Sequence, residues 1–249
     1  MNSTAELSVV IPAYNEEQRV PRTIERVSEF LRRSHPSSEI IVVDDASRDG
    51  TAEVVRAAQQ RIPELRLISH HDRNHGKGWS VRTGMLEARG TFSLFTDADL
   101  SAPIEEAEKL LAALGSAEIA IGSRALDRKL IQVHESRRRE LAGIFFNRLV
   151  RVLVGLPFSD TQCGFKAFRT AETRILFEQQ QIEDFGFDPE ILFLARRHGL
   201  RAVEVPVVWS HDPRTKVNML RDSAGMFADL FEIRWNEVRG RYPKRAARE

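Results

Sequence analysis

The chain has 249 residues, 42% of them hydrophobic and 29% charged, with 37 Lys and Arg against 36 Asp and Glu for a formal net charge of +1. A chain of this size buries a substantial core without staples, and its one cysteine, Cys163, rules out an internal disulfide scaffold and fits a reducing compartment. The N-terminal M-N-S-T-A-E-L-S-V-V-I-P lacks a signal-peptide pattern and no apolar run reaches the ~18 residues of a membrane span. The expectation is therefore a soluble or peripheral protein in the cytoplasm, or at the cytoplasmic face of a membrane.

In chain order, Leu7 to Ile11 reads as a buried strand and Glu16 to Arg33 as a helix carrying Val20, Ile24, Val27, Phe30 and Leu31 at helical spacing. Strand Ile40 to Val43 ends in D-D-A-S-R-D-G-T, where Asp49 and Thr51 are capping residues for a helix from Ala52 to Gln60. Strand Leu65 to Ser69, helix Lys77 to Ala88, strand Phe92 to Thr96, helix Ile104 to Leu114 and strand Glu118 to Ile121 complete the alternation. This rhythm predicts an α/β fold with a mostly parallel central sheet and helices on both faces. Ligands of such sheets sit beyond the carboxyl ends of the strands. P-A-Y-N-E, D-D-A-S, N-H-G-K-G, D-A-D and G-S-R all follow predicted strands, so they should meet on one rim.

Beyond Arg124 the pattern loosens. Ala125 to Glu135 reads as a mobile loop, then come a helix over Leu141 to Leu153, a strand Gly164 to Phe168, a helix Pro189 to Arg197, a strand Arg201 to Val208 and a C-terminal amphipathic helix around Ser223 to Glu237. No linker divides the chain, so one domain is expected. From Arg124 to Arg174 eleven basic side chains face five acidic ones, which points to an anionic partner.

Asp97 and Asp99 of D-A-D can present oxygens to one hard divalent cation that neutralises a diphosphate; the bland alternative, a solvated turn, loses ground because the pair follows an apolar strand. Asp44 and Asp45 end another strand, and one of the two is expected to face a nucleoside. H-G-K-G, His75 to Gly78, opens a helix whose N–H groups favour an anion, with Lys77 adding charge. Its spacing is not that of a Walker motif, and no G-x-G-x-x-G follows the first strand. Arg124 and the run Arg137, Arg138, Arg139 could clamp phosphate oxygens or form a solvated basic face. Leu141 to Phe158 is either core or a membrane-surface segment with Arg148 and Arg151 on anionic head groups. Asp188 and Glu190 open a helix, where acids are favoured by the dipole, and Asp188 remains open as a general base. The histidines show no metal-ligand spacing, and Cys163 reads as a packed thiol rather than a nucleophile.

In this order, V-V-I-P-A-Y-N-E-E, I-I-V-V-D-D-A-S-R-D-G-T, N-H-G-K-G, F-T-D-A-D-L-S-A-P and I-G-S-R resemble a family 2 glycosyltransferase with the Rossmann-like GT-A fold. D-T-Q-C-G-F-K-A-F, F-G-F-D-P-E-I-L-F-L-A-R-R-H-G and V-E-V-P-V-V-W are similar to the dolichyl-phosphate β-glucosyltransferase branch, beside the polyprenyl-phosphate mannose synthases. The resemblance covers about Leu7 to Lys216. It implies an inverting, metal-dependent transfer of a hexose, glucose from UDP-glucose, to a polyprenyl or dolichyl phosphate. Pro12, Tyr14, Glu16 and one of Asp44 or Asp45 would hold the nucleoside. Asp97 and Asp99 would hold Mg²⁺ or Mn²⁺, with Ala98 and Ser101 close to the donor and Arg124 facing the phosphates. Lys216 in P-R-T-K-V would close over the donor.

The resemblance divides the chain into a nucleotide-sugar half (7–124), an acceptor half with a mobile acceptor loop (125–216), and a C-terminal amphipathic helix with a basic tail (217–249). An ionised lipid phosphate needs positioning rather than a strong base, a task suited to Arg124 and Arg137 to Arg139. A hydroxyl acceptor would need a base, for which Asp188 is the candidate. A nucleotide-sugar-binding module without turnover is the third reading, disfavoured by an intact D-A-D. No nucleic acid is expected as a partner. Members of the branch commonly carry a membrane anchor; with none read here, the chain is expected to bind a bilayer peripherally or to use a soluble acceptor.

Overall fold

A computed structural model describes residues 5–133, 136–211 and 219–243. In the first half, strands Leu7–Ala13 (β1), Glu39–Asp45 (β2), Leu65–His70 (β3), Phe92–Thr96 (β4) and Ile119–Ser123 (β5) alternate with helices Val20–Ser34 (α1), Thr51–Gln59 (α2), Lys77–Glu87 (α3) and Ala107–Ala113 (α4). The second half adds strand Ile131–Val133 (β6), helix Arg137–Leu149 (α5) running into a π-helical turn at Val150–Val154, strand Phe165–Arg169 (β7) and helices Thr170–Gln179 (α6) and Phe187–Arg197 (α7). Strands Ala202–Pro206 (β8) and Trp209–Ser210 (β9) and helix Met219–Val238 (α8) follow.

Seven strands form one sheet in the order β3-β2-β1-β4-β7-β5-β8. β1 is parallel to both β2 and β4, with Val9 opposite Ile40 and Leu94, whereas β7 enters antiparallel between β4 and β5. Because side chains alternate across a strand, Val9 and Ile11 join one core with α1, α2 and α4, and Val10 joins another with α3, α6 and α7. Burial on both faces is why these strands read as continuous apolar runs rather than alternating ones.

Two readings change. The helix expected from Glu16 begins at Val20, with Pro21 in its first turn, because Glu16 to Arg19 form a turn in which the Glu16 carbonyl accepts the Arg19 and Val20 N–H groups. The stretch read as a loop over Ala125 to Glu135 holds a 3₁₀ turn, Arg128–Leu130, and then β6, which pairs parallel with β9. Helix α6 had no counterpart in the sequence reading. The order of the parallel strands reverses direction at β1, which has β2 on one side and β4 on the other, so the loops following β1 and β4 flank the natural ligand crevice.

Candidate active site

Among the described residues three non-glycine ones adopt left-handed backbone angles, Asn15 (φ 56°), Ala46 (φ 56°) and Leu100 (φ 50°), and they sit after β1, β2 and β4, the three adjacent strands of that crevice. Local strain of this kind persists only where surrounding contacts enforce it. Here the Asn15 N–H donates to Ser47 Oγ (2.8 Å), the Arg48 N–H to Asn15 Oδ1 (2.7 Å), and the Glu16 N–H to Thr51 Oγ1 (2.7 Å). The helix expected from Ala52 begins at Thr51 with Gly50 as its N-cap, so neither Asp49 nor Thr51 holds the expected capping position, although Asp49 accepts the Thr51 N–H (3.1 Å). Pro12, the penultimate residue of β1, is partly exposed, and Tyr14 is half-buried just beyond the strand. Glu16 is buried and its carboxylate accepts from Arg19 Nε at 2.6 Å. It therefore acts first as a clamp on Arg19, whose Nη1 stands 4.0 Å from Asp99 Oδ2.

The two acidic residues ending β2 divide their labour. Asp45 accepts the N–H groups of His75 and Gly76 (2.8 Å each) and approaches His75 Nδ1 at 3.0 Å. Two of the N–H groups at the mouth of α3, expected to favour an anion, are thus taken by Asp45 of the chain itself. The glycines of H-G-K-G serve packing: a Cβ on Gly76, at φ 118°, would meet the Glu183 carbonyl oxygen at 2.6 Å, and one on Gly78 would meet Phe187 Cβ at 2.7 Å. Asp44 keeps one buried oxygen, Oδ1, with no partner among the described residues, while its Oδ2 accepts from Ser69 Oγ at 2.9 Å. A buried acceptor without a donor is costly unless a ligand supplies one.

At the end of β4, Lys77 Nζ lies 2.6 Å from Asp97 Oδ1. Burial opposes its charge, yet the carboxylates of Asp97, Asp188 and Asp99 hold the ammonium above its ordinary pKa. Asp99 is pushed the other way, upward, by burial and by the neighbouring Asp97, although it accepts the Ser101 N–H at 2.9 Å. Ala98 is buried, its carbonyl accepting from Thr23 Oγ1 at 2.6 Å, and the Ser101 carbonyl accepts the Ser210 N–H at 2.8 Å. Two carboxylates at a strand end suit a hard cation that takes its remaining oxygens from water and phosphate. Among the described residues no group of three or more His, Cys, Asp or Glu gathers into a fuller metal cage.

Two residues not singled out from the sequence shape this cluster. Gly164 lets Asp97 approach so closely that a Cβ there would lie 2.1 Å from Asp97 Oδ2. Lys166, fully buried in β7, places Nζ 2.5 Å from Asp188 Oδ1 and 2.7 Å from the Cys163 carbonyl. Burial raises the Asp188 carboxyl even so, against the pull of Lys166 and Lys77. A lone lysine inside the apolar strand G-F-K-A-F was the available signal. Cys163 is buried and its thiol is pushed up to about 12, as befits a packing residue.

On the acceptor side, Arg124 is held in a fork by Asp160, Nε to Oδ2 at 2.6 Å and Nη2 to Oδ1 at 2.9 Å, with its guanidinium 5.3 Å over the Trp209 ring. Burial works against the Asp160 charge, but Arg124 holds that carboxyl below its usual range. Both residues line a pocket with Arg128, Ile131, Ile144 and Trp209, so Arg124 presents its stacked face rather than a free fork. Arg137, Arg138 and Arg139 open α5, their side chains outside the described set, and Lys216 lies outside the described residues altogether.

The model of glycosyl transferase family 2 matches residues 8–172. A dolichyl-phosphate beta-glucosyltransferase of Trichomonas vaginalis is 34% identical, over 90% of this chain and 69% of its own length. The enzyme of that name from Drosophila melanogaster is 37% identical (92% and 74%), and that from Saccharomyces cerevisiae 34% (95% and 76%). Among solved structures, glucosyl-3-phosphoglycerate synthase from Mycobacterium tuberculosis in complex with Mn²⁺, UDP and glucosyl-3-phosphoglycerate superposes with a TM-score of 0.67 at 19% identity, covering 98% of this chain and 82% of that one. The same synthase with Mg²⁺ and UDP gives a TM-score of 0.68 at 19% identity, with 98% and 81% coverage.

Proposed function

Since the chain belongs to glycosyl transferase family 2 and is a glycosyltransferase of the GT-A fold, we propose that it transfers glucose from UDP-glucose to a polyprenyl phosphate, working peripherally at a membrane surface with Mg²⁺ or Mn²⁺ at Asp97 and Asp99. The observation that carries the reading is the meeting of Asp97, Asp99 and Lys77 at the switch point of the sheet, with the unpartnered oxygen of Asp44 at the end of β2 on the same rim. The relatives' names support the glucose and the lipid phosphate. Mn²⁺, Mg²⁺ and UDP in complexes of the same fold are consistent with the donor and the metal.

In this reading Asp44 Oδ1 accepts from the nucleoside, Tyr14 and Pro12 border it, and Lys77 moves from Asp97 toward the donor phosphates. A bound divalent ion would supply positive charge to the leaving diphosphate. Arg19, held by Glu16, adds charge beside Asp99. The acceptor phosphate is ionised at neutral pH and needs positioning near Arg124 and Trp209 rather than deprotonation. Burial of Asp188 against Lys166 favours this over a hydroxyl acceptor, because an ion-paired, enclosed carboxylate is poorly placed as a base.

The test incubates the protein with labelled UDP-glucose and a short, water-soluble polyprenyl phosphate. Glucosylated lipid phosphate should form with Mn²⁺ or Mg²⁺, vanish with chelator, and fall by about 100-fold or more in Asp99→Ala. Transfer only to hydroxyl acceptors, or transfer indifferent to chelation, would overturn the reading.

A further inference from the structure

Large exposed apolar side chains concentrate on two adjoining helices. On α5 and its π turn, Leu141, Ile144, Phe145 and Val152 fall on one face, Val152 being 74% exposed. On α8, Phe231, Trp235 and Val238 repeat the pattern at spacings of four and three, with Val238 79% exposed. The opposite sides of the same helices, Phe146, Val150 and Val154 on one and Leu230 and Ile233 on the other, already fill the core. The exposed stripes are therefore surplus to folding, and α8 packs on the π turn so that the two adjoin.

Charge identifies the occupant. Among the described residues around the two stripes Arg148, Arg151, Arg234, Arg239 and Arg241 are exposed, against one exposed acid, Glu232, and the half-buried Glu140, Asp229 and Glu237. Exposed Arg148 lies within the first stripe, and Arg239 sets its guanidinium 4.5 Å over the Trp235 ring. A second copy of the chain would bring this basic surface against itself across a two-fold axis, like charge on like. A bilayer with anionic head groups satisfies both features, taking Phe, Trp and Val at the acyl boundary and the arginines at the phosphates. We propose that the exposed faces of α5 and α8 together form a docking surface for an anionic lipid bilayer. This rests on, and specifies, the membrane part of the proposed function; Ile144 also lines the pocket of Arg124 and Trp209, so docking brings that pocket to the lipid. Among the described residues no helix is long and apolar enough to cross a membrane.

The experiment needs no sugar donor. The full chain is floated with vesicles of phosphatidylcholine alone or of equimolar phosphatidylcholine and phosphatidylglycerol, at low and high salt. It should float with the anionic vesicles only, less so at high salt, with a blue shift of tryptophan emission. Phe145→Ser combined with Trp235→Ser should weaken binding by about tenfold or more, the loss expected for Phe-sized apolar groups, with the melting temperature unchanged because both side chains are more than half exposed. Arg148→Glu with Arg239→Glu keeps the stripes and should weaken binding to the anionic vesicles. Absence of binding, binding indifferent to both variants, or a dimer in light scattering that the Ser variant dissolves would each overturn the proposal. Transfer to the soluble acceptor is read separately, so either proposal can fail alone.

Discussion

Lys166, set between Phe165 and Ala167 in β7, and Asp188 of α7 form a charge pair almost wholly removed from water. Desolvating two such groups roughly cancels their attraction, so the pair adds little net stability, while removal of one partner strands the other. Lys166→Met is expected to destabilise the protein by about 3 to 5 kcal/mol in urea unfolding, and Lys166→Met with Asp188→Leu to recover most of that loss. Activity should separate the roles. Asp188 senses both Lys77 and Asp97, so the double variant should remain folded yet transfer glucose poorly. If the double variant is as active as the parent protein, the pair is structural only.

Helix α3 shows how an element meets its neighbours through what its side chains lack. Gly78 has no room for a Cβ beside Phe187 and the Asp184 carbonyl, whereas Gly225 on α8 has nothing within 4 Å. Gly78→Ala should therefore cost about 1 to 3 kcal/mol through overpacking, and Gly225→Ala should stabilise by about 0.5 to 1 kcal/mol. Denaturation midpoints at unchanged m-value check both. The same helix marks the reach of sequence reading. The alternation of strands and helices and the opening H-G-K-G reveal that α3 exists, but not whether a glycine faces a phosphate or a phenylalanine more than a hundred residues away. Strand β7 was legible as G-F-K-A-F, yet its antiparallel direction was not, because a two-residue period carries no direction. Helix α6 escaped because its buried side includes Thr173 and Gln179 with only Leu176 and Phe177 as strongly apolar members. Likewise D-A-D could be placed on the rim from its strand, while Gly164 and Lys166 enter the site only through pairing of β7 with β4.

At the scale of the whole molecule, burial leaves carboxyl groups of opposite tendency. Glu190 is buried and pushed up to about 7, although it accepts the Gln181 and Ile182 N–H groups (3.0 Å each) and the Tyr242 hydroxyl (2.6 Å). Asp229, on α8, is pushed up to about 6 by burial and by its acidic neighbours Glu232 and Asp184. Between the ordinary carboxyl range and these values the folded state holds more protons than the unfolded state, so stability is full at the lower pH and declines as pH rises through 6 and 7. For Glu190 the loss is on the order of 3 kcal/mol. Asp160 and Glu39 act in the opposite sense: although burial works to raise them, Arg124 and Arg66 hold them low, so their contribution disappears as pH falls below the ordinary range. The melting temperature should consequently be highest near pH 5 and fall toward pH 8. Glu190→Gln separates the causes, because the amide cannot titrate but turns an N–H donor toward the Ile182 or Gln181 N–H. It should lower stability most at low pH, where the Glu190 carboxyl is protonated, with the difference from the parent shrinking as pH rises through 7, so that the alkaline limb flattens; a limb that keeps its slope in this variant would assign the decline to other groups.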